Sequence, residues 1–124
     1  MKAIEQSKKF ADIAKKNLIL ISTLQAMFND MGLHIDAYVK DEDGVTLPYR
    51  WRARTRRFEI VDRKDNEMVW VPVVDVHDME KVSDLLKVVD MLYDSGVREL
   101  ERVSVVLEES YEVASDFYTR ISGE

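Results

Sequence analysis

The 124-residue sequence contains no cysteine, only four glycines and only two histidines. The missing cysteines exclude a disulfide framework, a thiolate nucleophile and a cysteine zinc site, and they fit a reducing compartment. The glycines are isolated from one another, so neither a phosphate-cradling loop nor a dinucleotide fingerprint can be built. Nucleophile-elbow and zinc-helix motifs are also absent. We therefore expect a non-enzymatic protein without a cofactor. An enzyme with an unrecognised carboxylate site stays open as an alternative, because the spatial pairing of carboxylates is invisible in a sequence.

Long apolar runs are missing as well. The longest, Leu18–Ile21, is far shorter than the roughly 20 residues that span a bilayer. Lysines at positions 8, 9, 15 and 16 interrupt any signal-peptide pattern before it. We expect a soluble, cytoplasmic protein with no membrane partner, and the length predicts a single domain over residues 1–124.

The hydrophobic periodicity predicts an α+β fold. A long N-terminal helix is expected over residues 3–31, which contain no glycine or proline, and it ends at Gly32. Alternating patterns between turn residues then predict a four-stranded antiparallel β-meander over residues 33–76, with Pro48 at an edge or a bulge. The 3.6-residue period returns and predicts two C-terminal helices, 78–94 and 97–121, forming a hairpin at Ser95-Gly96. The β-branched residues at 103–107 leave a strand open there.

The N-terminal helix is too long for a globule of this size. Twenty-nine residues make a helix of about 43 Å, whereas a compact domain of this length is about 35 Å across. Because the helix also carries an apolar stripe, we expect a homodimer formed through the long helices. The stripes and strand patterns together predict the following core: Leu18, Ile21, Phe28, Ile35, Val39, Trp51, Ile60, Trp70, Val82, Leu86, Val89 and Leu107.

Arginines dominate one stretch of an otherwise acidic chain of net charge −6. They occupy every second position from 50 to 56, and one more follows directly: Arg50, Arg52, Arg54, Arg56 and Arg57. On one continuous strand the four alternate arginines would share a face, with Tyr49 and Trp51 on the other face. This pattern predicts an anion-binding surface made of the five arginines, Tyr49 and Trp51. The alternative is that the arginines pair internally with Asp36, Glu59 or Asp62.

An acidic protein surface is the expected partner, because a net acidic chain is generally repelled by nucleic acid. The favoured function is that of an intracellular interaction protein, as adaptors, inhibitors and chaperones are, virus-encoded ones included. A module for single-stranded nucleic acid or a phosphorylated small molecule remains the alternative, with Arg52 and Arg54 on phosphates and an aromatic ring stacking.

Residues 75–80 place three carboxylates beside a histidine, which is compatible with a divalent metal. The weak candidate ligands are Asp75 and His77. Asp78 is explained as a helix N-cap and Glu80 as an acid in a first helical turn, so we expect no metal site.

Overall fold

The computed structural model of the chain describes residues 1–123 and confirms the predicted α+β fold. A long N-terminal helix precedes one four-stranded antiparallel sheet of order β1-β2-β3-β4, and two helices follow. The elements are α1 (Lys2–Asp30), β1 (Ala37–Lys40), β2 (Thr46–Arg52), β3 (Arg57–Lys64), β4 (Glu67–Pro72), a 3-10 turn (Val73–Asp75), α2 (Met79–Lys87) and α3 (Val89–Ser122). No helix within residues 1–123 is both long and apolar enough to cross a membrane.

The strand connections are set by local turn chemistry. In the first turn the Asp41 carboxylate accepts hydrogen bonds from the backbone N–H groups of Asp43 and Val45, both at 2.9 Å. In the last hairpin Asp65 and Asn66 have φ values of 50° and 65°, as a two-residue turn of type I′ requires. The register between β1 and β2 shifts opposite Pro48, which therefore lies at an irregularity of the ladder, where a missing N–H is tolerated.

The core lies between one face of the sheet and the helices. Phe28 of α1 contacts Trp51, Phe58 and Tyr93, with ring centroids 5.0–5.7 Å apart. The Trp51 indole N–H donates to the Leu33 carbonyl at 3.1 Å, so the buried ring leaves no polar atom unpaired. This aromatic cluster joins α1, the hairpin β2–β3 and α3.

The break between the two C-terminal helices lies at Val88 and not at the predicted Ser95-Gly96. This one-residue break is shorter than the two- to five-residue loops of antiparallel helix hairpins. Gly96 lies inside α3 and is buried, and a Cβ on it would lie 3.0 Å from Leu33 Cδ2 and 3.5 Å from Ala37 Cβ. The glycine therefore allows α3 to approach β1 closely. Residues 103–107 are helical, so the strand left open for them does not form.

Five predicted core residues are not buried. Leu18 and Leu107, on the two long helices, are 43% and 63% exposed. Trp70, Ile35 and Leu86 are half-buried. Trp70 lies on the sheet face opposite the helices, where its ring contacts Tyr38 at 6.3 Å between centroids.

Candidate functional site

The predicted arginine strand is divided into a strand, a turn and the start of a second strand. β2 ends at Arg52, residues 53–56 form the turn, and Arg57 begins β3 opposite Arg52. Arg56 has φ 57°, so Arg54 and Arg56 do not continue the β2 face as predicted. Tertiary contacts fix this turn: the Asp36 carboxylate accepts from the Ala53 N–H at 2.8 Å, and the Gln25 side-chain oxygen accepts from the Phe58 N–H at 2.9 Å.

Arg50 is held by the protein itself. It lies opposite Glu59 across β2 and β3, and its Nη2 and Nε lie 2.6 Å and 2.8 Å from Glu59 Oε1. Its guanidinium also stacks on Trp70, 4.2 Å from the ring centroid. Only 14% of the side chain is exposed. Arg50 therefore pairs internally, as the alternative describes, and little of its side chain is open to a partner.

Arg52 is also paired internally. Its Nη1 donates to Asp36 Oδ2 at 2.8 Å, while the other oxygen of Asp36 holds the turn. The third predicted acceptor, Asp62, binds Lys81 of α2 at 2.9 Å instead of an arginine. This contact lowers the pKa of Asp62 and raises that of Lys81, because each hydrogen bond stabilises the charged form.

The two aromatic residues of the predicted surface are buried to different degrees. Trp51 is fully buried in the aromatic cluster. Tyr49 is half-buried, and burial together with the nearby carboxylate of Asp84 raises the pKa of its phenol. In this structure the Trp51 ring has no exposed area with which to contact a partner.

Three arginines of the predicted set remain accessible. Arg54, Arg56 and Arg57 are exposed at the β2–β3 turn, and none forms an ion pair within residues 1–123. We call these three residues the arginine turn. They are the cationic residues of the set that stay unpaired within the described chain, whereas Arg50 and Arg52 are neutralised by Glu59 and Asp36.

The candidate ligands at 75–80 do not form a cluster. Asp75 ends the 3-10 turn, His77 is exposed, and Asp78 caps α2 by accepting from the Glu80 N–H at 3.0 Å. Within the described chain no group of three or more metal-binding side chains comes together.

The largest unpartnered surface lies on the two long helices. Residues 2–16 of α1 are exposed except for the half-buried Ala14, and residues 101–122 of α3 are exposed except for the half-buried Val103 and Ser115. We call these segments the N-terminal arm and the C-terminal arm. Large apolar side chains lie open on both, for example Phe10, which is 60% exposed, and Phe117, which is 54% exposed.

The accessible surface area of the chain also indicates that the arms extend beyond the globule. It amounts to 9330 Å² for a mass of 14.5 kDa, whereas a compact monomer of that mass exposes about 6,900 Å². The excess of about 2,400 Å² comes from helices that extend beyond the globule. Sequence reasoning predicted the overhang of α1 but missed the C-terminal arm. The sequence does contain an indication of the C-terminal arm: apolar residues lie on more than one side of the predicted stripe, at Val105, Val106 and Val113.

A cleft of about 490 Å³ lies between β1 and α3 and is lined by both signs of charge, including Asp36, Lys40, Arg98 and Glu99. Asp36 already binds Arg52, and Glu99 binds Arg102, which lowers the pKa of Glu99 through that hydrogen bond. The cleft thus presents balanced charges, partly neutralised by neighbours. Comparison of the chain with protein-family models, with curated proteins and with solved structures finds no match.

Proposed function

We propose that this chain is a non-enzymatic, cytoplasmic interaction protein of the adaptor type, which assembles into a homodimer through its helical arms. The observation that carries the proposal is the set of large apolar side chains left open on the arms, on a chain whose total accessible surface exceeds that of a compact monomer by about 2,400 Å². Monomeric proteins rarely leave contiguous apolar patches of more than a few hundred Å² open to water. A partner that covers the arms removes this cost.

The interior of the globule supports a non-catalytic function. No buried polar side-chain atom within residues 1–123 lacks a hydrogen-bond partner. The carboxylates with shifted pKa values, Asp62 and Glu99, each belong to an ion pair with a lysine or an arginine. Their pKa values are lowered, whereas a general acid working near neutral pH needs a raised one.

The experiment is sedimentation equilibrium of the full chain at tens of micromolar. The proposal expects a mass of about twice 14.5 kDa or more. It also expects dissociation when Phe10 and Phe117 are both changed to Ser, since these apolar side chains would then no longer favour burial. A monomer of the unchanged chain at this concentration would refute the proposal.

The arginine turn favours a second binding activity on the same protein, the capture of an acidic macromolecule. Arg54, Arg56 and Arg57 supply unpaired guanidinium groups, which bind carboxylates and phosphates in bidentate fashion. An acidic protein surface fits better than single-stranded nucleic acid, because the proposed stacking ring of Trp51 is buried.

Binding of a fluorescent poly-glutamate peptide and of a single-stranded oligonucleotide, compared at one salt concentration, tests this second activity. We expect the peptide to bind the native chain and not the Arg54→Glu, Arg57→Glu variant. A variant that retains full peptide affinity would exclude the arginine turn, and tighter binding of the oligonucleotide would reverse the choice of partner.

A further inference from the structure

The two arms carry opposite net charge. The N-terminal arm, residues 2–16, holds five lysines and two acids, a net charge of +3. The C-terminal arm, residues 101–122, holds five acids and two arginines, a net charge of −3. Most of these charges have no partner within the described chain, where the ion pairs of the arms are Lys16 with Asp12 and Arg102 with Glu99.

Each arm also continues the apolar stripe by which its own helix packs in the globule. In α1 the buried residues Phe28 and Ile21 are followed, at steps of seven and four toward the N-terminus, by Ala14 and Phe10. In α3 the buried Gly96 is followed at steps of seven by Val103, and Phe117 lies two further steps along. Steps of seven and four keep side chains on one helical face, with the spacing of a coiled-coil seam.

The α3 seam alternates steps of three and four over three heptads: Leu100, Val103, Leu107, Ser110, Ala114, Phe117 and Ile121. Inside the globule, the same faces of the two helices already meet where Phe28 and Tyr93 pack with ring centroids 5.7 Å apart. An α1–α3 contact is therefore the kind of packing to which these two stripes are suited.

We propose that the N-terminal arm of one chain packs on the C-terminal arm of a second copy, and that two chains exchange these contacts reciprocally. This inference rests on the proposed self-assembly and adds which arm binds which. Pairing of like arms would place lysines beside lysines and carboxylates beside carboxylates, whereas pairing of unlike arms places net charges of +3 and −3 together. Flanking charges of this kind select the partner of a helix in a coiled-coil contact.

The available area fits a stable dimer. If both chains cover about half of their excess surface, as contact through one helical face implies, about 2,400 Å² is buried in total, which lies within the range of obligate homodimers. The core of such an interface would be the two apolar seams, and the flanking lysines and acids would set the pairing.

Charge-reversal variants distinguish the pairing of unlike arms from the pairing of like arms. One variant makes the N-terminal arm acidic, with Lys8→Glu, Lys9→Glu and Lys15→Glu. A second makes the C-terminal arm basic, with Glu109→Lys, Glu112→Lys and Asp116→Lys. A third combines all six changes. The control reverses the arginine turn, with Arg54→Glu, Arg56→Glu and Arg57→Glu, and shifts the net charge by the same six units as the first variant without touching the arms.

Sedimentation equilibrium at low ionic strength measures the dissociation constant of each protein, and helicity by circular dichroism shows that each is folded. We expect the first and second variants to dissociate at least about tenfold more readily than the native chain. The combined variant should recover most of the affinity, because its arms are again of opposite sign. The difference should shrink in 1 M salt, where the Debye length is about 3 Å. The control should associate like the native chain.

Cross-linking between introduced cysteines gives a second measurement of which arms pair. The native chain contains no cysteine, so only the introduced thiols react. A flexible bis-maleimide cross-linker does not need the Cα spacing of less than about 7 Å that a disulfide requires. With it, a chain with Ala14→Cys mixed with a chain with Ala114→Cys should give mixed cross-linked dimers in preference to either homodimer. Single charge variants that associate like the native chain, or homodimers that outnumber the mixed product, would overturn the arm pairing and leave self-assembly standing. A native chain that is monomeric overturns both.

Discussion

The pairing of Arg50 with Glu59 gives the most direct test of how the structure accounts for the arginines. Changing Glu59 to Gln preserves the shape of the side chain but removes its charge. The Arg50 guanidinium would then stay between β3 and Trp70 without a counterion, and only 14% of its side chain would be exposed to water.

The expected loss of stability depends on how deeply the Arg50–Glu59 pair is buried. Removing one member of a fully buried ion pair costs about 3–5 kcal/mol, because the remaining charge is left uncompensated. Glu59 and Arg50 keep 11% and 14% of their side chains exposed, and the glutamine oxygen still accepts a hydrogen bond, so we expect a loss of about 2–3 kcal/mol. For a chain of 124 residues this corresponds to a fall of about 8–12 °C in melting temperature.

The assay is urea unfolding followed by tryptophan fluorescence, since Trp70 lies against Arg50. All variants are compared at one protomer concentration, because association would add to the measured stability. The double change Arg50→Met, Glu59→Leu removes both charges, and it should recover most of the loss because apolar replacement of a buried pair is often neutral. The exposed Arg54→Met serves as the control and should cost less than about 0.5 kcal/mol. A loss below about 0.5 kcal/mol for Glu59→Gln, or a double variant as unstable as the sum of the single changes, would show that the buried pair does not stabilise the fold in this way.

Two further predictions concern α2 and α3. The pKa of Asp62 is lowered in the folded chain, so its bond to Lys81 stabilises the fold at pH values above the ordinary pKa of 3.8. That stabilisation is lost as the pH falls through the folded-state pKa. The native chain should therefore melt at a higher temperature than Asp62→Asn at neutral pH, and the difference should disappear in acid. A gap of constant size across the titration would contradict this. Gly96→Val should cost about 1–3 kcal/mol in urea unfolding, because its side chain would collide with Leu33. The control Ser22→Val, at an exposed helical position outside both arms, should change stability by less than about 0.5 kcal/mol. A Gly96 variant as stable as the native chain would disprove the close approach.

The features that the sequence predicted well are those decided by neighbouring residues. Alternation of apolar and polar residues places four strands in order, and Gly44, Asp65 and Asn66 adopt the positive φ values that their turns require. Asp78 caps α2 as its position indicates. Each of these depends on chemistry within a few residues, which a single sequence contains in full.

The end of the arginine strand depends on distant residues and was therefore hidden. Arg54 continues the alternating pattern of β2, but Asp36 and Gln25 bind the backbone on either side of the turn and end the strand at Arg52. Gly96 was interpreted as a helix stop for the same reason. Its lack of a side chain serves packing against Leu33 and Ala37, and neither contact is local.

The arms show a different limit of sequence reasoning. A seam of apolar residues has the same period whether it packs on its own chain or on another, so Ile21 and Leu107 look alike in the sequence, although one is buried and the other 63% exposed. Ile21 and Leu107 differ only in whether the globule lies beside that part of the helix.

The composition of the C-terminal arm connects its folding to its assembly. An isolated helix gains little stability in water, and the β-branched residues Val103, Val105, Val106 and Val113 lower its intrinsic propensity further. Some of these same residues lie on the apolar seam or beside it, where burial by a second helix would offset their entropic cost. The arm has no contact with the globule beyond its first turns that could supply this burial, since residues 104–114 are all exposed. Helix formation in the arm and the proposed packing of a second chain on it would therefore stabilise one another.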